Sequence, residues 1–453
     1  MKILVTGATG FIGRQLLLLL REKGHDIVVL TRDPDTASIR LPVACSVFGW
    51  DPDLLEPPKE AFRGVEAVVH LAGESLLGQW SPERKEEIIR SRTLSTHHLV
   101  RAMKNQDEKP EVFICASGVG VYGDRGEEAL DEGASVGHGF LANLCHKWEA
   151  EALQARTGGI RTVLMRAGVV LGNEGGALRW MLPAFRLGLG GKAGTGRQWM
   201  SWIHVRDLAR MILHAVETQS LEGPVNAVSP QPETNADFSA ALARALRRPA
   251  FLFAPVLFLE KLLGDMSQVI LFSQKVSAAK IQETGFHFEY PDLKSAFEGI
   301  AEVYTHELLL EQWVPRPVEE VFSFFSDARN LEILTPPFLK FKVTSQNTQP
   351  VFEGMHINYR LKLHGIPFRW QSMIMDWKPN ERFSDIQVVG PYWLWHHTHD
   401  FIPRDGGTLV RDRAVYRIPF WTLGDILLQP MIRKELEAIF SYRQKKVLEL
   451  FGE

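Results

Sequence analysis

The chain has 453 residues and carries 51 lysines and arginines against 54 aspartates and glutamates, which gives a net charge of −3. This length exceeds one ordinary hydrophobic core and predicts two or three domains, while the balanced charge gives no indication of a nucleic-acid partner. The 3 cysteines are too few for a disulfide framework and fit a reducing compartment, so we expect a cytoplasmic protein.

The first predicted elements are a strand, a glycine turn and a helix. Residues 3–5 form an apolar run typical of a buried parallel strand, and Gly7, Gly10 and Gly13 follow it. A helical pattern then covers residues 11–23. This order is the context of a dinucleotide fingerprint, in which the helix N-terminus points its free N–H groups at a pyrophosphate. Because the chain enters this strand at once, we expect no cleavable signal.

The second strand bears on which dinucleotide is bound. Its sequence, DIVVLTR, ends at Thr31 and Arg32, with Asp33 next. In dinucleotide folds an acid at this tip accepts the ribose 2′-OH, whereas an arginine pairs with a 2′-phosphate. We therefore favour NADP(H) over NAD(H), since arginine makes bidentate, charge-assisted contacts with phosphate. The alternative is that Arg32 is a solvated strand end and Asp33 holds the ribose.

Strands and helices continue to alternate up to about residue 220. Strands are predicted at 65–71, at a run ending near Ser117, and at a run whose end carries Arg166. This alternation predicts parallel βαβ units in a doubly wound α/β sheet. The helix that begins at Pro82 has three residues at helical spacing on one side, namely Ile88, Arg92 and Ser95.

The motifs of residues 1–300 resemble one branch of a known superfamily. TGATGFIG, LAGES, Ser91-Arg92, VYGDRG, WEAEA, RAGVVLGNEGG and RQWMSWIHVRDLA resemble the atypical epimerase-like branch of the extended short-chain dehydrogenases/reductases. The segment from GPVNAVSP to TGFHFEYPDL is similar to the small C-terminal cap of that branch. The resemblance implies that NADP(H) is bound by Gly7, Gly10, Phe11, Ile12, Thr31, Arg32, Leu71, Ala72, Glu87, Arg92 and Arg166.

The catalytic Tyr-x-x-x-Lys pair of that superfamily is missing where it is expected. Aligned on WEAEA, the two positions are Leu141 and Cys145. Tyr290 and Lys294 have the right spacing but lie far downstream and are interpreted as a coincidence. The proton-shuttling pair of this superfamily is therefore absent, and the branch resembled shares this departure.

Other residues near the predicted site are candidates for proton transfer. They are Ser117, Tyr122, Asn143, His146 and Glu74, each of which also has a plain structural interpretation, such as backbone hydrogen bonding for Ser117, packing for Tyr122 and solvent exposure for His146. We assign no catalytic residue from the sequence.

From about residue 302 the pattern changes. A long strand, two short helices beginning at Pro317 and Asp327, several strands in succession and a final helix over about 423–451 are predicted. This α+β order resembles the helix-grip fold of START-like and polyketide-cyclase-like domains. The resemblance implies a curved sheet around the last helix and an apolar cavity for a hydrophobic ligand.

Three histidines in this region raise the question of a metal site. On a strand, His397 and His399 share a face with Trp393, Trp395 and Phe401. Two histidines on one face are compatible with zinc, but the sequence offers no third ligand, because Asp400 points to the other face. We therefore predict an aromatic and polar cavity wall or a cross-strand ladder, and no metal site.

These observations predict three segments: a Rossmann domain at 1–220, a small cap at 221–301 and a helix-grip domain at 302–453. The most apolar window, 251–264, is too short for the ~20 residues of a membrane span. We expect an NADP(H)-binding, epimerase-like or oxidoreductase-like protein acting on a small substrate. The alternatives are a non-catalytic NADP(H) sensor, and a protein whose active part is the C-terminal domain. The oligomeric state stays open.

Overall fold

The computed structural model describes residues 1–34, 37, 41–172, 175–301, 306–344, 351–363, 366–418 and 428–452. The chain forms two compact units. The N-terminal unit comprises Met1–Ala37 and Cys45–Ala301, and the C-terminal unit comprises Glu302–Glu453 with Ser38–Ala44.

A parallel sheet forms the centre of the N-terminal unit. Its described strands, in chain order, are β1 (Lys2–Thr6), β2 (Asp26–Thr31), β3 (Ser46–Gly49), β4 (Ala67–His70), β5 (Val112–Gly118), β6 (Arg161–Ala167) and β7 (Gly223–Ala227). Their spatial order is β7-β6-β5-β4-β1-β2-β3, and the neighbouring strands pair in parallel. The strand order reverses direction between β1 and β4, which is where doubly wound folds bind ligands.

Helices connect these strands. They are α1 (Phe11–Glu22), α2 (Pro82–Lys104), α3 (Phe140–Leu153), α4 (Leu178–Arg186), α5 (Val205–Glu217), α6 (Asn235–Ala245), α7 (Val256–Leu263), α8 (Gln268–Leu271), α9 (Ala279–Glu283) and α10 (Leu293–Ala301). Short strand pairs complete the unit: Ala129–Leu130 with Lys275–Val276, Val169–Leu171 with Trp202–His204, Gly191–Ala193 with Leu252–Ala254, and Trp199–Met200 with Glu233–Thr234.

Both faces of the sheet are covered. Leu4 and Val28 pack with side chains of α2 and α3 in one core cluster. Ile3 and Val5 point to the other face by strand alternation and are equally inaccessible to solvent. Burial on both faces explains why β1 is a continuous apolar run. The predicted doubly wound sheet is confirmed.

Local predictions in this unit agree with the observed elements. Helix α1 begins at Phe11 and ends one residue before the predicted Lys23. The strand predicted at 65–71 is shorter, at Ala67–His70. Helix α2 begins at Pro82, with Ser81 as its N-cap, and it buries the side that was predicted to be shared by Ile88, Arg92 and Ser95.

The C-terminal unit is an antiparallel sheet with helices. Its described elements are β8 (His306–Val314), α11 (Val318–Phe325), α12 (Asn330–Leu334), β9 (Lys342–Val343), β10 (His356–Leu363), β11 (Ile366–Lys378), β12 (Arg382–Val389), β13 (Leu394–Arg404), β14 (Gly407–Arg417) and α13 (Gln429–Phe451). The strand order is β8-β14-β13-β12-β11-β10-β9. This element order confirms the predicted helix-grip fold.

Alternation along the strands defines the inner face of this sheet. Ile357, Tyr359 and Leu361 are buried, whereas Asn358 and Arg360 are exposed, as the period-two pattern predicts. Helix α13 packs Leu436, Phe440, Val447 and Phe451 into the core clusters of the unit. The predicted start of this helix near 423, and the alternating position His364, lie outside the described residues.

None of the helices in the described ranges combines the length and apolar character that crossing a bilayer requires.

Candidate functional site

The glycine turn after β1 brings two backbone segments into direct contact. Gly7 has φ +70°, and a Cβ there would lie 2.7 Å from the carbonyl carbon of Leu71 and 2.8 Å from the amide nitrogen of Ala72. A Cβ on Gly13 would lie 2.3 Å from the carbonyl oxygen of Gly7. Gly7 and Gly13 therefore have to be glycine. Their lack of a side chain lets the start of α1 lie directly against the backbone that follows β4.

The N-terminus of α1 is open to a ligand. Its N-cap is Gly10, and in this fully described helix neither a side-chain cap nor an acidic residue lies in the first turn. The free N–H groups of such a terminus attract anions. Phe11, the first helical residue, lies under a glycine-rich segment, since a Cβ on Gly172 or Gly175 would come within 2.6 Å of its ring. Ile12 is half-buried.

A buried polar chain links β1, β4 and α2. Thr6 Oγ1 lies 2.7 Å from His70 Nδ1, and His70 Nε2 lies 3.3 Å from Ser95 Oγ. The amide of Ala72 donates to Thr6 Oγ1 at 3.3 Å. Burial, together with the charge of Arg92, lowers the pKa of His70 to about 3. The His70 ring is therefore neutral. Through Thr6, this chain of hydrogen bonds holds the loop after β4 against the glycine turn.

Arg92 is a buried cation beside this loop. Its side chain is 8% exposed, lies against Gly73 and over the ring of Trp148 at 5.1 Å, and donates to the carbonyl oxygen of Ile88 at 3.3 Å. Within the described ranges no carboxylate lies at ion-pairing distance from it. Burial lowers the pKa of Arg92, but guanidinium stays charged in proteins. An unpaired buried cation is costly and indicates an anionic partner.

Arg32 stands at the tip of β2, as predicted. Its side chain is exposed, and no acidic residue of the described chain forms an ion pair with it. Thr31, at the end of the strand, accepts from the amide of Asp33 at 3.4 Å. Burial would raise the pKa of Glu74, but hydrogen bonds from Arg84 and Ser75 lower it. The charge of Arg32 makes a smaller contribution in the same direction. Arg32 thus lies near the loop after β4.

Glu87 is engaged elsewhere. Its carboxylate accepts from Arg84 Nη1 at 2.7 Å and is half exposed. The same guanidinium donates to Glu74 at 3.0 Å and to the carbonyl oxygen of Ser75 at 2.8 Å. Contact of Glu87 with a cofactor stays a prediction, and it requires this ion pair to open.

Arg166 also has a protein partner. It donates from Nε and Nη2 to the two carboxylate oxygens of Glu149, at 2.9 and 2.8 Å, and from Nη1 to the hydroxyl of Tyr122 at 3.0 Å. Ser117 donates to the same carboxylate at 2.7 Å, and Tyr122 donates to Asn226 Oδ1 at 2.7 Å. Sequence reasoning did not find this network. The cofactor role of Arg166 stays a prediction.

The positions of the missing catalytic pair, Leu141 and Cys145, lie against Gly120 and Gly118. A Cβ on Gly120 would lie 3.1 Å from Leu141 Cβ, and a Cβ on Gly118 would lie 3.8 Å from Cys145 Sγ. Burial and the nearby Glu149 raise the pKa of Cys145 to about 11, so it is a neutral thiol and not a nucleophile.

Of the other proton-transfer candidates, Glu74 is paired with Arg84, and the remaining four divide into two groups. Ser117 and Tyr122 lie in the buried network, where burial, opposed by Arg166, raises the pKa of Tyr122. Asn143 and His146 are exposed on α3. The structure therefore brings together Ser117 and Tyr122 but neither residue of α3.

The C-terminal unit encloses a separate cavity of about 180 Å³. Its lining is largely aromatic and aliphatic and includes Tyr359, Trp370, Trp395 and Phe440. A polar group interrupts this wall at Asp385, His397, His399 and Arg443.

The polar group contains the third potential ligand that the sequence did not reveal. Asp385 on β12 pairs in register with His397 on β13, and its Oδ1 lies 3.4 Å from His397 Nδ1. The sequence offered no evident third ligand, and the structure supplies Asp385 as a potential one. Burial alone would lower the pKa of His397, but the carboxylates of Asp385 and Asp412 outweigh it and raise that pKa.

Three family descriptions match successive parts of the chain. Residues 3–227 match the NAD dependent epimerase/dehydratase family, residues 254–300 match a domain of unknown function, DUF1731, and residues 314–439 match the family "Polyketide cyclase / dehydrase and lipid transport".

Individual relatives match the N-terminal two thirds. The epimerase family protein YfhF of Bacillus subtilis is 38% identical over 301 residues, which cover 66% of this chain and 98% of that protein. A chloroplastic epimerase family protein SDR39U1 homolog of Arabidopsis thaliana is 39% identical, with 66% of this chain and 86% of that one covered. The crystal structure of the human epimerase family protein SDR39U1 with NADPH is similar at 34% identity and a TM-score of 0.61, covering 67% of this chain and all of that one.

Proposed function

Since the chain belongs to the NAD dependent epimerase/dehydratase family, we propose that its N-terminal unit binds NADP(H). The pyrophosphate would lie on the N–H groups of α1, against Gly7, Gly10, Phe11 and Ile12. Leu71 and Ala72 would contact the cofactor from the end of β4. The site fits such a group, because the first turn of α1 has no side-chain cap and no acidic residue that would compete with a phosphate.

The observation that carries this proposal is the unpaired guanidinium of Arg92. The interior of a protein seldom holds a charge without a partner, and a phosphate supplies one. Arg92 lies beside Gly73, in the loop that follows β4. A phosphate oxygen of the cofactor is the anion that we assign to it.

Arg32 and Thr31 supply the preference for the phosphorylated dinucleotide. An exposed arginine at the tip of β2 has the geometry to meet a 2′-phosphate. The human relative with 34% identity was solved with NADPH, which supports the same choice. Asp33 as a ribose ligand, and hence NAD(H), is the alternative, and a comparison of NADPH affinity with NADH affinity separates the two.

Nicotinamide supplies hydride transfer when it is bound, and the substrate is a small molecule. On the side of the protein, Ser117 and Tyr122 are the candidate hydroxyls of the buried network that includes Glu149 and Arg166. Both already donate their protons, to Glu149 and to Asn226. Proton transfer through either residue therefore needs a substrate group that replaces these acceptors.

A second candidate function follows from the same geometry. Leu141 and Cys145 occupy the positions of the usual pair, and neither transfers a proton at neutral pH. A protein that binds NADP(H) as a signal, without turnover, is consistent with this arrangement. A screen of NADPH oxidation against carbonyl compounds separates the two functions, since turnover of any compound excludes the pure sensor.

We also propose that residues 302–453 bind a small hydrophobic molecule. The cavity of about 180 Å³ is close in size to an engineered cavity of ~150 Å³ that accepts benzene. A ligand with one aromatic ring fits this space, whereas a full lipid requires the cavity to expand.

The direct test of the cofactor site is Arg92→Met, with Arg90→Met as the matched control. Arg90 lies two residues earlier on α2 and is largely exposed. Loss of a charged hydrogen-bond partner costs about 1.5–3 kcal/mol, so NADPH affinity should fall about 10- to 100-fold in Arg92→Met. The thermal stability of the cofactor-free protein should not fall, because an unpaired buried charge has been removed.

Arg90→Met should bind NADPH as the wild type does. An Arg92→Met protein that folds and binds NADPH with unchanged affinity would refute the role of this residue. Loss of stability without loss of affinity would make Arg92 a structural residue.

A further inference from the structure

We propose that the C-terminal unit binds a divalent transition-metal ion, with Zn²⁺ as the reference ion, through Asp385, His397 and His399. One ligand atom from each side chain lies within 4.8 Å of the other two. All three residues line the cavity of this unit. The proposal does not depend on nicotinamide binding, because its residues belong to the C-terminal unit alone.

The spacing of the three atoms suits a metal ion. Asp385 Oδ1 lies 3.4 Å from His397 Nδ1 and 3.9 Å from His399 Nε2. Ligands that bind tetrahedral Zn²⁺ at ~2.0–2.1 Å are about 3.4 Å apart. The three ligand atoms all lie within 4.8 Å of one another.

Groups behind two of the three ligands orient them as in metal sites. His397 Nε2 shares a hydrogen bond of 3.2 Å with Asp412 Oδ1, whereas His399 Nδ1 lies 2.6 Å from the same oxygen without hydrogen-bond geometry. A carboxylate on the outer nitrogen of a metal-binding histidine fixes its tautomer. Ser372 donates to the other oxygen of Asp385 at 3.2 Å, which leaves Oδ1 for the ion.

Charge balance indicates what the ion would bind in turn. Asp385 and Asp412 carry two negative charges, and Arg443, whose Nη1 lies 3.9 Å from Asp412 Oδ1, carries one positive charge. A divalent ion leaves the group with one excess positive charge. Since the ligands line the cavity, the open coordination position faces it. The expected occupant is a small apolar molecule with a carboxylate or enolate oxygen.

The experiment uses the full-length chain, without a histidine tag and stripped of metal by a chelator. Calorimetry with Zn²⁺ should show one equivalent bound per chain. Titration with Co²⁺ should give visible absorption bands of a four-coordinate ion, and Zn²⁺ should remove them. Azide should shift these bands, because one coordination position is open.

Variants locate the ion. Asp385→Asn should weaken Zn²⁺ binding at least 100-fold, and Asp412→Asn should weaken it about 10- to 100-fold, the effect of losing an outer-shell carboxylate. The matched control is His396→Ala, which removes the adjacent histidine that points to the other face of β13. It should bind Zn²⁺ as the wild type does. Near-UV circular dichroism verifies the fold of each variant.

Failure of the wild type to take up either ion would overturn the proposal. Unchanged Zn²⁺ binding in Asp385→Asn would overturn it as well, since the ion would then lie elsewhere. Should Asp385→Asn not fold, His399→Gln takes its place under the same criterion. Bands that do not respond to azide would refute the open position facing the cavity.

Discussion

The guanidinium of Arg166 and the carboxylate of Glu149 form a buried ion pair through two hydrogen bonds, of 2.9 and 2.8 Å. The pair joins β6 to α3, and the hydroxyl of Ser117 donates to the same carboxylate. Where the superfamily uses a tyrosine and a lysine for proton transfer, this chain has a fixed polar network next to apolar side chains.

The first prediction concerns this pair. Glu149→Gln leaves a buried guanidinium without its counter-charge, so the free energy of unfolding should fall by about 3–5 kcal/mol. Glu151→Gln, two residues further on the same helix and paired with the exposed His97, should change it by less than about 1 kcal/mol. Urea denaturation of both variants measures the difference. Equal losses would mean that the pair is not a stabilising element.

The second prediction concerns Arg32. Arg32→Ala removes a charge-assisted contact with the 2′-phosphate, so NADPH affinity should fall about 10- to 100-fold. NADH lacks that phosphate, and its affinity should stay within about twofold. Fluorescence titration with both dinucleotides gives the ratio. Equal losses for the two would assign Arg32 another role.

The third prediction tests the close approach at the glycine turn. Gly13→Ala places a methyl group 2.3 Å from the carbonyl oxygen of Gly7, so stability should fall by about 3 kcal/mol and NADPH binding should be lost. Gly64→Ala is the control, because Gly64 lies in a turn, at φ +69°, and has open space around it, unlike Gly13 in α1. Its strain should cost about 1–2 kcal/mol without change in NADPH affinity. Intact NADPH binding by Gly13→Ala would contradict the proposed cofactor site.

The fourth prediction is a pH dependence that comes from His70. The native pKa is about 3 and the unfolded value about 6.5, so the unfolded chain takes up a proton first as the pH falls. This residue therefore destabilises the protein below pH 6.5, by about 2 kcal/mol at pH 5. In His70→Gln the loss of stability between pH 7 and pH 5 should be smaller by that amount. A profile that matches the wild type would show that His70 accepts a proton in the native state.

Patterns that depend on neighbours in the sequence were predictable. The glycine turn, the start of α1 and the buried side of α2 with Ile88, Arg92 and Ser95 each follow from residues within about four turns of one another. The alternation of Ile357, Tyr359 and Leu361 likewise reports their burial. Such local patterns suffice for the two folds and for the position of Arg32.

Contacts between distant residues were not predictable in the same way. Asp385 joins His397 and His399 only because β12 and β13 pair in one particular register, and a shift by one residue would turn Asp385 away. The partner of Arg166 depends on how α3 packs on the sheet. Glu149 belongs to the motif WEAEA and follows Trp148. A glutamate at a buried helix position was the sequence feature that could have indicated a partner for Arg166.

The central claim is that the N-terminal unit binds a nicotinamide dinucleotide and prefers its 2′-phosphorylated form. Isothermal titration calorimetry of the wild-type chain with NADPH and with NADH measures this directly. We predict that one NADPH binds per chain, at least about tenfold more tightly than NADH. This is the affinity ratio that one phosphate–guanidinium contact provides. Absence of binding for both dinucleotides, or equal affinity for the two, would contradict it.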